Sequence, residues 1–341
     1  MTDIHVETER VQGHHLLEVK DLFVEFHTRD GVARVINGVS YHLDPGETLA
    51  VLGESGSGKS VTAQAIMGIL DMPPAKIPKG QILYNGEDLL KMPEDKRRDI
   101  RGQQISMIFQ DALSALNPVF SVGWQISETL RTRMGMSKAD AMKRAVELMD
   151  QVKIPAAKAR LKDYPHQFSG GMRQRVMIAM SLAMDPKVLI ADEPTTALDV
   201  TVQAQIMDLL ADLRRDLNMG MILITHDLGV VADVADRIAV MYAGRIIEHA
   251  DVRALYKQPA HPYTKGLLES IPRLDDKGTV LKTIKGLPPN LMRLPTGCKY
   301  HPRCPYTQPI CVSDEPRSLN LGNGRTSACH FAKEMLSGEL G

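Results

Sequence analysis

The sequence predicts an α/β fold with a helical insertion and an irregular C-terminal extension, and three observations carry that prediction. Short, continuously apolar runs such as Thr48–Leu52 and Val188–Asp192 recur with helix-length segments between them. A run of this kind is expected for a strand buried on both faces of a parallel sheet. A glycine-rich loop sits directly between one such run and a helix-like segment at 59–70. Beyond about residue 254, prolines cluster and regular periodicity fades.

Taken in order, residues 1–15 are polar and mixed in charge, and are expected to be a tail with no apolar core of a signal peptide. Residues 16–26 read as a strand, followed by turn residues at Arg29, Asp30 and Gly31 and again at Asp44-Pro45-Gly46-Glu47. From about 92 to 184 the pattern is mostly helical. Residues 141–152 place Met142, Ala145, Val146, Met149 and Val152 on one helix face. Strands return at Val188–Asp192, 221–225 and Arg237–Tyr242, with a helix at 202–217 between the first two.

Composition narrows the function classes. The 41 basic residues balance the 41 acidic ones, so charge gives no reason to expect a nucleic-acid partner. The basic cluster Lys96-Arg97-Arg98 is flanked by Glu94, Asp95 and Asp99 and reads as a solvated helix face. No stretch approaches the roughly 20 apolar residues of a membrane helix. The expectation is a cytoplasmic protein that reaches a membrane only through a partner.

Gly53-Glu54-Ser55-Gly56-Ser57-Gly58-Lys59-Ser60 matches the phosphate-binding pattern G-x-x-x-x-G-K-[ST], in the strand–loop–helix context it needs. The glycines let successive backbone N–H groups face inward as an anion nest, and the following helix aims its positive end at the same point. Lys59 then reaches the β- and γ-phosphates of ATP, and the Ser60 hydroxyl is a Mg²⁺ ligand. The run Val188–Asp192 ends in two carboxylates, Asp192 and Glu193. A buried strand delivers such residues to the crevice where a nucleotide lies. Asp192 is the expected second Mg²⁺ holder, and Glu193 the base that polarises the attacking water.

Phe168-Ser169-Gly170-Gly171-Met172, followed by Arg173-Gln174-Arg175, resembles the signature motif of the ATP-binding-cassette (ABC) superfamily. With the phosphate loop, the Asp192–Glu193 pair, Gln110, Asp199 and His226, it makes residues 16 to about 251 similar to the ATPases of that superfamily. The resemblance implies a P-loop core of RecA type, an antiparallel β subdomain and a helical subdomain at about 111–180, together spanning 16–253. It also implies that Ser169, Gly170 and Gly171 meet the γ-phosphate held by a second cassette subunit, so that one chain does not complete a site alone. Gln110 would sense Mg²⁺ or the attacking water near the transmembrane partner, His226 would contact the γ-phosphate, and Asp199 would lie in the loop crossing the dimer interface. The motif departs from the usual LSGGQ at Phe168 and Met172, and Met172 removes an amide. An aromatic ring commonly stacks on adenine in this family; Phe26 is the candidate, with Tyr41 and His27 as alternatives.

Asn117-Pro118, the run from Ala191 to Thr201 and His261-Pro262-Tyr263-Thr264 look like the dipeptide and oligopeptide importer branch. The implied partners are a second, paralogous cassette ATPase, two transmembrane permeases and an extracytoplasmic peptide-binding protein, with the chain peripheral at the cytoplasmic face of the inner membrane. Importers of nickel and of some glycosides share the branch. A soluble ABC ATPase of DNA repair is the rival from another class, disfavoured by the lack of a long heptad run. The extension 254–341 contains all four cysteines, spaced C-x5-C-x6-C-x17-C at Cys298, Cys304, Cys311 and Cys329. That spacing is looser than a zinc ribbon and differs from the bacterial ferredoxin run. Four thiolates suit one [4Fe–4S] cluster or one Zn²⁺. The resemblance favours the cluster, with His301 and His330 as substitute ligands.

Overall fold

The run Thr48–Leu52 is a central strand, β3, and every one of its residues is buried. Leu49 and Val51 face one hydrophobic core while Ala50 and Leu52 face another, so period-2 alternation feeds two layers at once. Each Val or Leu so buried contributes about 1.5–3 kcal/mol. The computed structural model describes residues 14–111, 115–196, 198–270 and 283–340. Residues 1–13 of the expected tail, and Ala197 of the 191–201 run, lie outside the described residues.

The chain opens with β1 (Leu17–Thr28) and β2 (Gly31–Leu43), joined by the turn expected at Arg29 and Asp30. With β4 (Ala75–Tyr84) and β5 (Glu87–Asp88) they form an antiparallel sheet in the order β2-β1-β4-β5. The second sheet contains β3, β6 (Ile105–Ile108), β7 (Val188–Asp192), β8 (Gly220–Thr225), β9 (Arg237–Tyr242) and β10 (Arg245–Asp251). It also takes in β11 (Leu319–Gly322) and β12 (Arg325–Ser327), in the order β11-β12-β10-β9-β3-β8-β7-β6. From β9 to β6 the neighbours are parallel; β10, β12 and β11 add antiparallel strands at the other edge.

Between β6 and β7 lie the helices Val122–Met134, Lys138–Gln151 and Gly170–Ser181, the expected helical subdomain. On Lys138–Gln151 the buried residues are Ala141, Ala145, Leu148 and Met149; the anticipated Met142 and Val146 pack at the margin of the same core. Ser121, Ser137 and Ser169 each cap a helix start by accepting a backbone N–H.

The expected irregular extension carries short elements of its own. Helices Val252–Lys257 and Pro262–Glu269 follow β10, and the β11–β12 hairpin returns to extend the large sheet. Glu248 on β10, fully buried, accepts from Arg325 at 2.9 Å and from the Ala260 N–H at 2.7 Å, tying the hairpin to the core. Among the described residues no helix is long and apolar enough to cross a membrane.

Candidate functional site

The phosphate loop leaves β3 at Gly53 and enters the helix Lys59–Met67 through Gly58, whose φ of 105 is open to glycine. A Cβ at Gly58 would lie 3.0 Å from the Val35 carbonyl oxygen and 2.5 Å from Ile36 Cδ1, and at this φ any side chain is strained. Lys59 folds back on its own loop, donating to the carbonyls of Gly53 at 2.7 Å and Glu54 at 3.1 Å. Burial pushes its ammonium down from the usual lysine range, while Glu193, Asp192 and Glu54 pull it back up. Ser57 Oγ is buried with no hydrogen-bond partner, a polar group left for an incoming anion.

β7 carries the acidic pair to the same place. Asp192 accepts from the Ser60 hydroxyl at 3.0 Å, and burial raises its carboxyl above the usual range, with Glu193 adding to the rise. These two oxygen donors, in surroundings that disfavour an unpaired carboxylate, fit a hard divalent cation. Glu193 leaves the strand with φ 45, held by its N–H on the Ile224 carbonyl. Its carboxylate accepts from Gln110 Nε2 at 3.0 Å and from Thr196 Oγ1 at 2.9 Å, and His226 Nδ1 lies 3.5 Å away.

One cleft is lined together by Glu54, Ser55, Gly56, Gly58, Lys59 and Ser60, by Gln110, Glu193 and His226, and by Val35, Val61 and Leu291. Residues up to 172 positions apart in sequence, from Glu54 to His226, thus converge as their motifs predict. Phe26 does not join them. It stands in β1 opposite Ala33 and Ala75 and packs on the core beneath the antiparallel sheet. The cleft's apolar walls are Val35, from β2, and Leu291, from the extension; neither Tyr41 nor His27 lines it. Sequence reasoning missed Thr196, Val35 and Leu291. A threonine three residues after Glu193 was visible in the motif, whereas nothing local marks Leu291.

Ser169, Gly170 and Gly171 are also outside this cleft. They open the helix Gly170–Ser181, with Ser169 exposed, and Gly171 fits so closely that a Cβ would lie 2.5 Å from Val202 Cγ1. Asp199, exposed, caps the helix Val200–Leu217 by accepting from the Val202 N–H at 3.0 Å. Ser169 and Asp199 are thus two exposed helix caps, and Gly170 and Gly171 lie against Leu198 and Val202 between them.

The ABC transporter family model matches residues 36–196, and the model of the oligopeptide/dipeptide transporter C-terminal region matches residues 247–311. The chain is 53% identical over 321 residues to the oligopeptide transport ATP-binding protein OppD of Salmonella typhimurium, covering 94% of this chain and 95% of that one.

The chain belongs to the ABC transporter ATP-binding family.

It is also 51% identical to the dipeptide transport ATP-binding protein DppD of Lactococcus lactis subsp. cremoris, covering 94% of this chain and 90% of the relative. Among solved structures, the dimeric bacterial ABC transporter cassette MJ0796 superposes with a TM-score of 0.62 at 26% identity, covering 70% of this chain and 99% of its own. A post-hydrolysis dimer of the same cassette, bound to ADP and Pi, matches equally. This ABC ATPase thus has the core architecture that its motifs implied.

The four cysteines form a second cluster. All four line one cavity together with His261, Tyr300, His301 and His330. Cys298 donates its N–H to the Cys311 carbonyl at 2.8 Å, and the Phe331 N–H points at Cys329 Sγ at 3.4 Å. Burial pushes the Cys298 and Cys304 thiols up, and Cys329 up to about 12, with the neighbouring cysteines adding to it. Such thiols stay protonated unless a cation joins them.

Proposed function

We propose that this chain binds and hydrolyses ATP to power the import of dipeptides or oligopeptides through partner permeases. The observation that carries the reading is the single cleft in which the phosphate loop meets Gln110, Glu193 and His226. Lys59 and the loop N–H groups hold the phosphates, and Ser57 gains its missing partner there. Ser60 and Asp192, with Gln110, would hold Mg²⁺, which when bound neutralises charge on the β- and γ-phosphates. Glu193 orients the attacking water and accepts its proton; Gln110 and Thr196 fix the carboxylate that does so, and His226 faces the γ-phosphate. The share of both chains covered by the match to OppD supports peptides as the substrate class.

A second cassette completes each site, since Ser169, Gly170, Gly171 and Asp199 face outward from their own chain's cleft. A paralogue fills that role. Exposed Phe109, beside Gln110 in the chain, and exposed Val119, Phe120 and Trp124, the last two rings stacked at 4.1 Å, support a permease docking on this segment. The chain is then peripheral on the cytoplasmic face of the cell membrane, and a binding protein outside supplies the peptide.

Cys298, Cys304, Cys311 and Cys329 hold a structural [4Fe–4S] cluster in this reading. The donor chemistry fits: four soft thiols line one cavity, and burial favours the protonated state of Cys298, Cys304 and Cys329 until a metal centre binds. A zinc ion with four sulfurs at about 2.3 Å would draw them within roughly 4 Å of one another. The cysteines are not a set gathered within 4.8 Å among the described residues. A cluster, which gives each thiolate its own iron, does not demand that closeness. Anaerobic purification should yield about four irons and four sulfides per chain; a chain free of iron, or loaded with zinc alone, would overturn the assignment. For the function itself, a mild-detergent pull-down from native membranes should recover two polytopic permeases and a second cassette. Recovery with DNA-associated or ribosomal partners would leave an ATPase that does not transport.

A further inference from the structure

Glu54 is an acidic residue inside a loop whose task is to receive phosphates. Its charge is felt by Lys59, and a nearby carboxylate repels an incoming polyphosphate. The C-terminal extension supplies the answer to that charge. Arg303, in the turn His301–Arg303 immediately before Cys304, lays a fork on Glu54. Its Nη1 donates to Oε2 at 2.6 Å and its Nη2 to Oε1 at 2.9 Å. The Arg303 side chain is 5% exposed, so the pair is largely shielded from solvent and salt. Tyr242 OH accepts from Nη1 at 3.4 Å, and the Lys285 carbonyl accepts from Nε at 3.1 Å, which fixes the guanidinium from both sides. The hydrogen bonds to Glu54 raise the Arg303 guanidinium above its usual range, against the effect of burial.

The same module grips the loop twice more. Tyr263 OH accepts from the Glu54 backbone N–H at 2.9 Å. Pro288, Pro289 and Leu291 face Glu54, Ser55, Gly56 and Ser57 across one pocket. Leu291 continues into the nucleotide cleft, while its carbonyl accepts from the Arg34 N–H at 3.2 Å.

We propose that the cysteine-bearing extension is a cis-acting part of the nucleotide site, in which Arg303 positions the phosphate loop by neutralising and anchoring Glu54. Arg303 touches no phosphate in this scheme; it is a positioning residue acting through Glu54. The inference rests on the ATPase reading and assigns a job to a segment that the phosphate loop's own motif does not include.

The test is a double-mutant cycle on the full-length chain, read by titration with a fluorescent ATP analogue (mant-ATP) and by thermal melting. Arg303→Ala should weaken nucleotide binding roughly tenfold, because it leaves the Glu54 carboxylate unpaired beside the phosphates. Glu54→Gln removes the charge that Arg303 answers, so in that background Arg303→Ala should cost less than about threefold in affinity. The double variant should recover most of the lost affinity, and Arg303→Lys should fall between wild type and alanine, lacking the fork. In steady-state hydrolysis the Arg303→Ala defect should appear in KM more than in kcat. Unchanged affinity in Arg303→Ala would overturn the proposal. So would a defect that Glu54→Gln fails to relieve, since Arg303 would then merely hold the extension together. If Arg303→Ala does not fold, Arg303→Lys in the wild-type and Glu54→Gln backgrounds decides: a loss of affinity equally large in both would overturn the proposal. Should wild type bind no mant-ATP, the ATPase reading falls with it; should wild type bind and the cycle be flat, only the positioning role falls.

Discussion

Glu193 is held in the left-handed region at φ 45, an unusual conformation for a residue with a side chain. The strain is offset by its N–H on Ile224, and it turns the carboxylate from the end of β7 into the cleft, onto Gln110 and Thr196. Replacing Glu193 by Gln keeps the shape and removes the proposed base. Mant-ATP affinity should stay within about twofold, while hydrolysis should fall by about 10²–10⁴-fold, the usual worth of a general base. Residual turnover above a tenth of wild type would move that role elsewhere. His42 makes a different residue-scale prediction. Burial, then Arg237 and the His15 ring stacked at 3.7 Å, lower its pKa to about 4. Below the ordinary value of 6.5 the unfolded chain takes a proton that the folded chain refuses. This contribution to stability is therefore whole above pH 6.5 and is lost as pH falls toward 4. Urea midpoints at pH 7, 6 and 5 should drop less steeply in His42→Asn than in wild type, and equal slopes would count against the assignment. The catalytic side chains were legible because their motifs also specify the local backbone that aims them. Phe26 is not among the residues that line the cleft, because tertiary packing and not local pattern decides which wall an aromatic reaches. The Arg303–Glu54 pair joins residues 249 positions apart, and neither carries a local signal.

At the scale of elements, legibility follows burial. β3, β7 and β9 are buried along their length, so a short apolar run marks them to the residue. β2 and β4 went unread: their registers slip at bulges or irregularities in the pairing with β1, which breaks the period-2 alternation. β11 is mostly exposed, and its Leu319–Leu321 alternation is too short to mark a strand. Its hairpin is kept on the large sheet by β12 pairing with β10 and by Arg325 on the buried Glu248. Arg325→Met should therefore cost about 3–5 kcal/mol, since it leaves a buried carboxylate without its charged partner. Glu248→Gln combined with Arg325→Met should regain part of that loss. The check is chemical denaturation of both variants; a double variant no more stable than Arg325→Met would mean that Arg325 acts by packing and not through the charge.

Across the whole molecule, the two halves of the nucleotide chemistry sit on different surfaces. The cleft holds the phosphate loop, Gln110, Glu193 and His226, while Ser169 and Asp199 are exposed elsewhere on the chain. In the proposed reading, that exposed helix start receives the phosphate of the other cassette. The resemblance stated that division, and no periodicity or spacing in a single chain could have, because a partner's contribution leaves no mark on local sequence. It makes two lesions separable. Lys59→Ala should abolish nucleotide binding by the isolated chain. Ser169→Arg should leave that binding within about twofold of wild type, because Ser169 lies outside its own cleft. In the assembled transporter the same Ser169→Arg chain should cut hydrolysis at the site it completes by about 10²–10³-fold, the scale of losing an anion-stabilising donor. Titration of each isolated variant, followed by turnover of the reconstituted complex, distinguishes the cases. If Ser169→Arg damaged binding in the isolated chain as severely as Lys59→Ala does, the signature would act on its own chain's nucleotide, and the composite site would be the wrong description.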